Sequence, residues 1–365
     1  MRKRIKQSWI GLSIFIALLL FLSQHARTIS PADSDIWPIV AMGYPVALLL
    51  YLITLLFWLI TKRKIAILMA AVLILFGWGA MSDIVQIDPP LSQEERGHSL
   101  MSYNARLFGY YQFKRNKEIR DSIFDYLESS DVDILCFQEF YHTTHPKGFQ
   151  TKPLLIDRLN TPYEHEKYTH EFVHQQYFGV VTLSRFPIVY RGYIPFPGDF
   201  NNFCIYSDIR LPKGDTIRVF NTHLASIHFR KEDYEIIDTE LSDTDRLTEK
   251  STGILKKLMA ANKRRAVQIE HIMEEVERSP HPVIFAGDFN DPPFSHTYYR
   301  TKASLQDAFK TKGFGLGNTY NGPFPSFRID HILHSDEIEV NSYQVDKLDL
   351  SDHFPVHIRF EMNDE

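Results

Sequence analysis

The chain has 365 residues, of which 44% are hydrophobic, 13% aromatic and 23% charged. That composition excludes disorder, a collagen-like chain and a disulfide scaffold. Forty Lys and Arg face 45 Asp and Glu for a net charge of -5, but the first 82 residues hold 8 basic and 2 acidic side chains, leaving 32 against 43 for the rest. The larger part therefore lacks the basic bulk charge that many phosphate contacts demand, although a local basic groove stays open.

Three stretches near the N-terminus contain no Asp, Glu, Lys or Arg: residues 7–26, 36–61 and 65–82. Each matches the ~20 helical residues that cross a bilayer. The first, preceded by Arg2, Lys3, Arg4 and Lys6, would also suit a cleaved signal peptide, but no convincing small-x-small site follows and two further apolar stretches do. The third is apolar around its whole circumference, unlike a surface helix. Basic loops stay cytoplasmic. Arg2 to Lys6 and Lys62-Arg63-Lys64 mark that side, so three spans place everything after Ser82 outside the cytoplasm. The expectation is a multi-pass protein of the cell (inner) membrane with residues 1–82 as its membrane region. Residues 83–97, with Asp88-Pro89-Pro90, read as a polar linker.

Residues 98–362 read as one domain of α/β or α+β type, in which short apolar runs alternate with helical patterns. Strands are expected at Leu100 to Tyr103, Ile134 to Phe137, Gly179 to Leu183, Ile217 to Asn221, Val283 to Ala286, Ile329 to Leu333 and Pro355 to Phe360. Helices are expected at Lys117 to Glu128 and Ile254 to Glu277. The acidic stretch Arg230 to Lys250 reads as a surface insertion. Cys136 and Cys204 are too few for a disulfide framework or a cysteine zinc site and are expected to be free thiols.

Polar side chains recur where these strands end, the place where α/β folds collect their chemistry. Asn104 follows the first strand and Glu139 the second, a carboxylate that suits a hard cation or equally a helix cap. His223 follows the fourth. Asp288 and Asn290, two residues apart on one side of an emerging strand, also fit an Asx turn into Pro292-Pro293. Asp330 lies inside an apolar strand, a costly position unless the carboxylate is paired. Asp352-His353 closes the series.

Taken in order, Tyr103-Asn104-Ala105-Arg106, Gln138-Glu139, Gly179 to Ile188, Thr222-His223-Leu224, Gly287-Asp288-Phe289-Asn290, Arg328-Ile329-Asp330 and Ser351-Asp352-His353 resemble the endonuclease/exonuclease/phosphatase superfamily. The superfamily includes deoxyribonuclease I, abasic-site endonucleases, neutral sphingomyelinases and inositol polyphosphate phosphatases. The resemblance implies a four-layer sandwich of two packed mixed β-sheets flanked by helices, and a divalent-metal phosphoesterase that uses water as nucleophile. It implies Glu139 as principal Mg²⁺ or Mn²⁺ ligand, aided by Asn104 and Asp352. Asp330 would fix the tautomer of His353, while His223 and Asn290 would meet the phosphate oxygens. Either Asp288 or His353 would serve as base. Deoxyribonuclease I also pairs its first His with a Glu, for which Glu164, Glu166 and Glu171 are the nearby options, none fixed by a motif. The histidines between His142 and His174 match no zinc signature. The implied substrate is a nucleic acid, a phospholipid or an inositol phosphate, and no protein partner is expected. A catalytically silent module is disfavoured because every acid, base and ligand position is filled.

Overall fold

The computed structural model describes residues 2–87, 96–111, 116–145, 148–172, 175–227, 229, 233, 244–322 and 326–363. Most of the acidic stretch 230–250 and the Asp88-Pro89-Pro90 segment lie outside them. The N-terminal region is helical: α1 (Arg2–Ala26), α2 (Ile36–Met42), α3 (Tyr44–Thr61), and α4 (Arg63–Val72), which continues through a π-helical turn at Leu73–Gly77 into α5 (Trp78–Ile84). Gln7–Ala26, Tyr44–Thr61 and Arg63–Ile84 are long and apolar enough to cross a membrane. The second stretch differs from its expected bounds. Pro45, which has no N–H to donate, sits in the first turn of α3, and residues 36–42 form a separate short helix before it. Two buried hydrogen bonds tie the helices together, Trp58 Nε1 to Ser13 Oγ at 2.8 Å and Tyr51 OH to the Met69 carbonyl at 2.8 Å.

The remainder is a sandwich of two six-stranded mixed sheets. Its strands are β1 (His98–Asn104), β2 (Ile134–Thr143), β3 (Tyr163–Phe172), β4 (Gln176–Ser184), β5 (Ile188–Phe196), β6 (Asp199–Arg210), β7 (Thr216–His223), β8 (Val283–Asp288), β9 (Gln306–Asp307), β10 (Asp330–His334), β11 (Ile338–Val345) and β12 (Val356–Met362). One sheet runs β11-β12-β1-β2-β4-β3 and the other β5-β6-β7-β8-β10-β9. The β1–β2 and β7–β8 pairs are parallel, whereas β10 lies antiparallel to β8 and β12 to β1.

Strand periodicity sorts the core into layers. Leu100, Ile134, Cys136 and Ile358 of the first sheet meet Val219, Ile284, Ala286 and Ile332 of the second between the sheets. Their neighbours Met101, Leu135 and Phe137 point outward, under α6 (Asn116–Ser130) and α7 (Thr151–Leu159). On the far side Phe220 and Phe285 meet Ile269, Ile272 and Met273 of α8 (Thr244–Glu277). Cys136 and Cys204 are buried free thiols.

The N-terminal helices are docked against the sandwich. Asp83, expected as the first residue of a polar linker, is fully buried and binds Arg27 Nη1 at 2.7 Å, Lys302 Nζ at 2.5 Å and Lys310 Nζ at 3.0 Å. Arg328 donates to the Asp83 carbonyl at 2.7 Å, and His296 Nδ1 to the Arg27 carbonyl at 3.0 Å. Lys302 and Lys310 lie on two short helices of the sandwich, α9 (His296–Lys302) and α10 (Ala308–Lys312). Lys263 of α8 pairs with Asp35 at 2.6 Å, and Gln86 forms a β-bridge with Gly315.

Candidate active site

The topology brings the strand-end polar residues to one end of both sheets. In register, Asn104 stands beside Gln138, His223 beside Asp288, and Asp288 beside Asp330. Strands β1, β7 and β8 deliver residues from their C-terminal ends, and β2 delivers Glu139 from a bulge in mid-strand. Antiparallel β10 delivers its first residue, and His353 comes just before β12. A β-bulge between Phe137 and Phe140 re-aims Glu139, which adopts a left-handed backbone (φ 46°), as does Asn290 (φ 52°).

The centre of the site is a buried acid–histidine–acid row. His353 Nδ1 lies 2.9 Å from Asp330 Oδ2 and 3.2 Å from Asp330 Oδ1, and Nε2 lies 3.7 Å from Asp288 Oδ2. Burial opposes charge on His353, but the carboxylates of Asp330 and Asp288 outweigh it and push the imidazole up to about 10. Burial raises Asp288 above the ordinary carboxylate range, against the pull of His353. Thr319 Oγ1 accepts from the Ile329 and Asp330 amides at 3.0 and 3.1 Å, fixing the start of β10.

Asn104 Nδ2 donates to Asp288 Oδ2 at 3.0 Å and to Glu139 Oε1 at 3.4 Å. Its Oδ1 accepts from the Arg106 amide at 3.1 Å, so its nitrogen faces the two acids. His223 Nε2 lies 3.6 Å from Asp288 Oδ2 and 3.9 Å from Glu139 Oε1. Asn290 caps Asp288 through its backbone amide (2.8 Å), while its Nδ2 donates to the Leu224 carbonyl (3.0 Å) and to Asp288 Oδ2 (3.3 Å). Asp352 Oδ2 lies 3.3 Å from Arg106 Nη1. Among the described residues, the one compact His/Asp/Glu group of metal-ligand size is Asp288, Asp330 and His353. A cleft of about 450 Å³ opens over Glu139, Asp288, Asn290, Asp352 and His353.

Residues 101–353 match the endonuclease/exonuclease/phosphatase family. The chain belongs to that family. Endonuclease/exonuclease/phosphatase enzymes are phosphoester hydrolases that generally use divalent metal ions, and the chain is accordingly a hydrolase. Residues 6–84 match a separate domain of unknown function, DUF8431. No curated protein matches the chain. The fold is similar to the human Nocturnin catalytic domain with bound sulfate (19% identity, TM-score 0.53, covering 76% of this chain and 100% of that one). It is also similar to an endonuclease/exonuclease/phosphatase family protein from Leptotrichia buccalis (15%, 0.52, 73% and 100%). A mannosyl-6-phosphatase from Bacteroides thetaiotaomicron shares it as well (18%, 0.50, 73% and 100%).

Around this family site, several sequence-level candidates go elsewhere. Glu164 and Glu166 bind Lys152 Nζ at 3.2 and 2.6 Å rather than His223, and the side chain of Glu171 lies outside the described residues. His165 Nδ1 meets Ser207 Oγ at 2.9 Å between the sheets, and burial lowers it to about 4. His142 stacks on Tyr177. The His170 side chain and His174 lie outside the described residues. After Arg106, Phe108 is core and Tyr111 is 64% exposed, and residues 112–115 are outside the described residues.

Sequence reasoning missed a supporting layer. Fully buried Gln138 and Asn221 join the sheets, Gln138 Nε2 donating to Asn221 Oδ1 at 2.8 Å and Asn221 Nδ2 to the Val181 carbonyl at 3.0 Å. The signal was present, since each is an amide inside an apolar strand run. Arg265 of α8 ties the loops after β7 and β8 together, bonding the Ala225 carbonyl and Asp291, each at 3.0 Å. No local pattern announces it.

Proposed function

We propose that the protein is a membrane-anchored, divalent-metal-dependent phosphoesterase that cleaves a phosphoester by attack of water, with its catalytic domain on the extracytoplasmic side of the cell membrane. The observation that carries the catalytic reading is the His353 imidazole held between Asp330 and Asp288. The donors at the cleft suit Mg²⁺ or Mn²⁺, which take oxygen ligands. Glu139 and Asp352 are carboxylates, and Asn104 would join them through its oxygen after a half-turn of its amide. When bound, such a cation supplies positive charge against the phosphoryl and leaving oxygens.

The chain's own residues account for the proton movements. Asp288, made more basic by burial, accepts a proton from the attacking water. As the hydroxyl oxygen bonds to phosphorus and the bond to the leaving oxygen breaks, protonated His353 donates from Nε2 to that oxygen. Asp330 keeps Nδ1–H in place and stabilises the imidazolium. The 3.7 Å separation of His353 Nε2 from Asp288 then lets the proton return and reset the pair. His223 donates to a non-bridging phosphate oxygen, and Asn290 holds Asp288 and reaches the phosphate by turning its amide outward.

The test uses full-length protein with Mg²⁺ and a soluble diester such as bis(4-nitrophenyl) phosphate. Glu139→Gln, Asp288→Asn and His353→Ala are each expected to lower turnover roughly 10²-fold to 10³-fold, with melting unchanged, and a chelator to abolish it. Near-native rates in any two variants would overturn the assignment.

A further inference from the structure

The catalytic cleft lies beside one end of the second apolar helix. We infer that its substrate is an amphiphile of the leaflet on which the catalytic domain sits, a phosphoester whose alkyl chain stays in an apolar groove while its phosphate reaches His353 and Asp288. The inference rests on the phosphoesterase reading above and adds the substrate class to it.

The cleft has a fixed relation to the membrane helices. Asp83, at the end of the third span, is held by Lys302 and Lys310 of the sandwich, and Arg328 of the sandwich holds the Asp83 carbonyl. Met42 lines the same cleft as Asp288 and His353. It stands just two residues before Tyr44, the first residue of the second span. At ~1.5 Å of helical rise per residue this is about 3 Å beyond the apolar segment, within the headgroup layer of roughly 5–7 Å on each face.

The wall from Met42 inward is apolar: Ile227, Phe229, Ile254, Leu258 and Phe327. Phe327 also packs in one cluster with Tyr44 and Ala80 of the spans, so the groove is continuous with the membrane-facing bundle. Exposed apolar side chains also gather at the end of the third apolar helix. Ile87, Phe314 and Leu316 are 59%, 60% and 53% exposed around the Gln86–Gly315 bridge at the outer end of the third span. The polar lining is mostly acidic, Glu139, Asp288, Asp291 and Asp352, and its cations are the His353 imidazole and Arg265, which is itself paired with Asp291. A polyanionic strand would need a row of cations there, whereas a single phosphate beside an alkyl chain does not.

The experiment uses full-length protein in maltoside micelles, hydrolysing bis(4-nitrophenyl) phosphate with Mg²⁺, and n-alkyl phosphates of increasing chain length as competitive inhibitors. Burial of each methylene in the groove predicts that Ki falls about two- to fourfold per added CH₂. Leu258→Gln and Ile254→Gln, checked for native melting, are expected to flatten the series. Ki independent of chain length in the native enzyme would overturn the inference with the phosphoesterase standing. A single-stranded oligonucleotide inhibiting better than the longest alkyl phosphate would overturn it in favour of a nucleic-acid site. No metal-dependent hydrolysis of the soluble diester would instead refute the phosphoesterase reading itself, and the inference with it.

Discussion

Replacing Asp330 by Asn tests the acid–histidine–acid row at its strongest contact. The carboxylate meets His353 Nδ1 at 2.9 Å, and burial leaves it among the groups that keep the imidazole charged to about pH 10. At this distance and an effective dielectric of about 20, removing one unit charge removes roughly 5–6 kcal/mol, or about four pH units of titration. Without that carboxylate the His353 imidazole loses much of what holds its proton and titrates well below its native range. The Asn amide can also present a donor to Nδ1 and reverse the tautomer, as the Asp-to-Asn exchange does in serine protease triads, where the loss is about 10⁴-fold. We expect kcat/KM for a soluble diester to fall 10²-fold to 10⁴-fold at pH 7.5 (~). The activity that remains should have its optimum at lower pH than the native enzyme, because the variant imidazole regains its proton only in more acid solution. Rates within tenfold of native across pH 5.5–9 (~), with melting unchanged, would refute the proposal that Asp330 sets the state of His353.

Other consequences are structural. Asp83→Asn leaves Arg27, Lys302 and Lys310 without their shared acid and is expected to cost about 3–5 kcal/mol, read as a lower melting temperature of the full-length protein in detergent; an unchanged value would refute the docking role of Asp83. His165, lowered to about 4 by burial first and Arg191 second, contributes stability that is complete above pH 6.5 (~) and is lost as pH falls toward 4, about 3 kcal/mol over that window. His165→Gln should therefore make denaturant midpoints less sensitive to acid over the same window, and an unaltered pH slope would count against it. At Gly287, φ is +150° and a Cβ would stand 2.2 Å from the Thr222 carbonyl oxygen. Gly287→Ala is expected to push β8 from β7 and lower both melting temperature and turnover; native values of both would contradict the close approach.

The chemistry was legible in the sequence because it is carried by short motifs at strand ends. The expected runs at Leu100, Ile134, Ile217 and Val283 lie within observed strands, and the motif residues after them meet at one end of the sandwich. β3, β5, β6, β9 and β11 were not singled out. β5 alternates exposed residues such as Val189, Tyr190 and Tyr193 with little apolar continuity, as an edge strand does. The partner of His223 also stayed open in the sequence, since proximity along the chain suggested Glu164 and Glu166 whereas β3 turns both toward Lys152. Asn104 reads as an oxygen donor from its residue type, and only the coordinates reveal that its amide nitrogen faces Glu139 and Asp288.

The docking of the N-terminal helices was illegible for a different reason. An Asp ahead of a proline-punctuated segment has the composition of a solvated tether, and the cations that bury it come from positions 27, 302 and 310, separations that no local pattern encodes. Arg328 is the clearest case. In the sequence it is the first letter of Arg328-Ile329-Asp330, where Asp330 alone has a chemical task. In the fold its guanidinium bonds the Asp83 carbonyl at 2.7 Å, Asp307 at 2.9 Å and His331 at 3.0 Å. Two residues later the same chain segment supplies the carboxylate that holds His353. A displacement of the third apolar helix would thus be felt at Asp330 through one turn-free stretch of backbone, so the N-terminal helices and the catalytic geometry are parts of one packed unit.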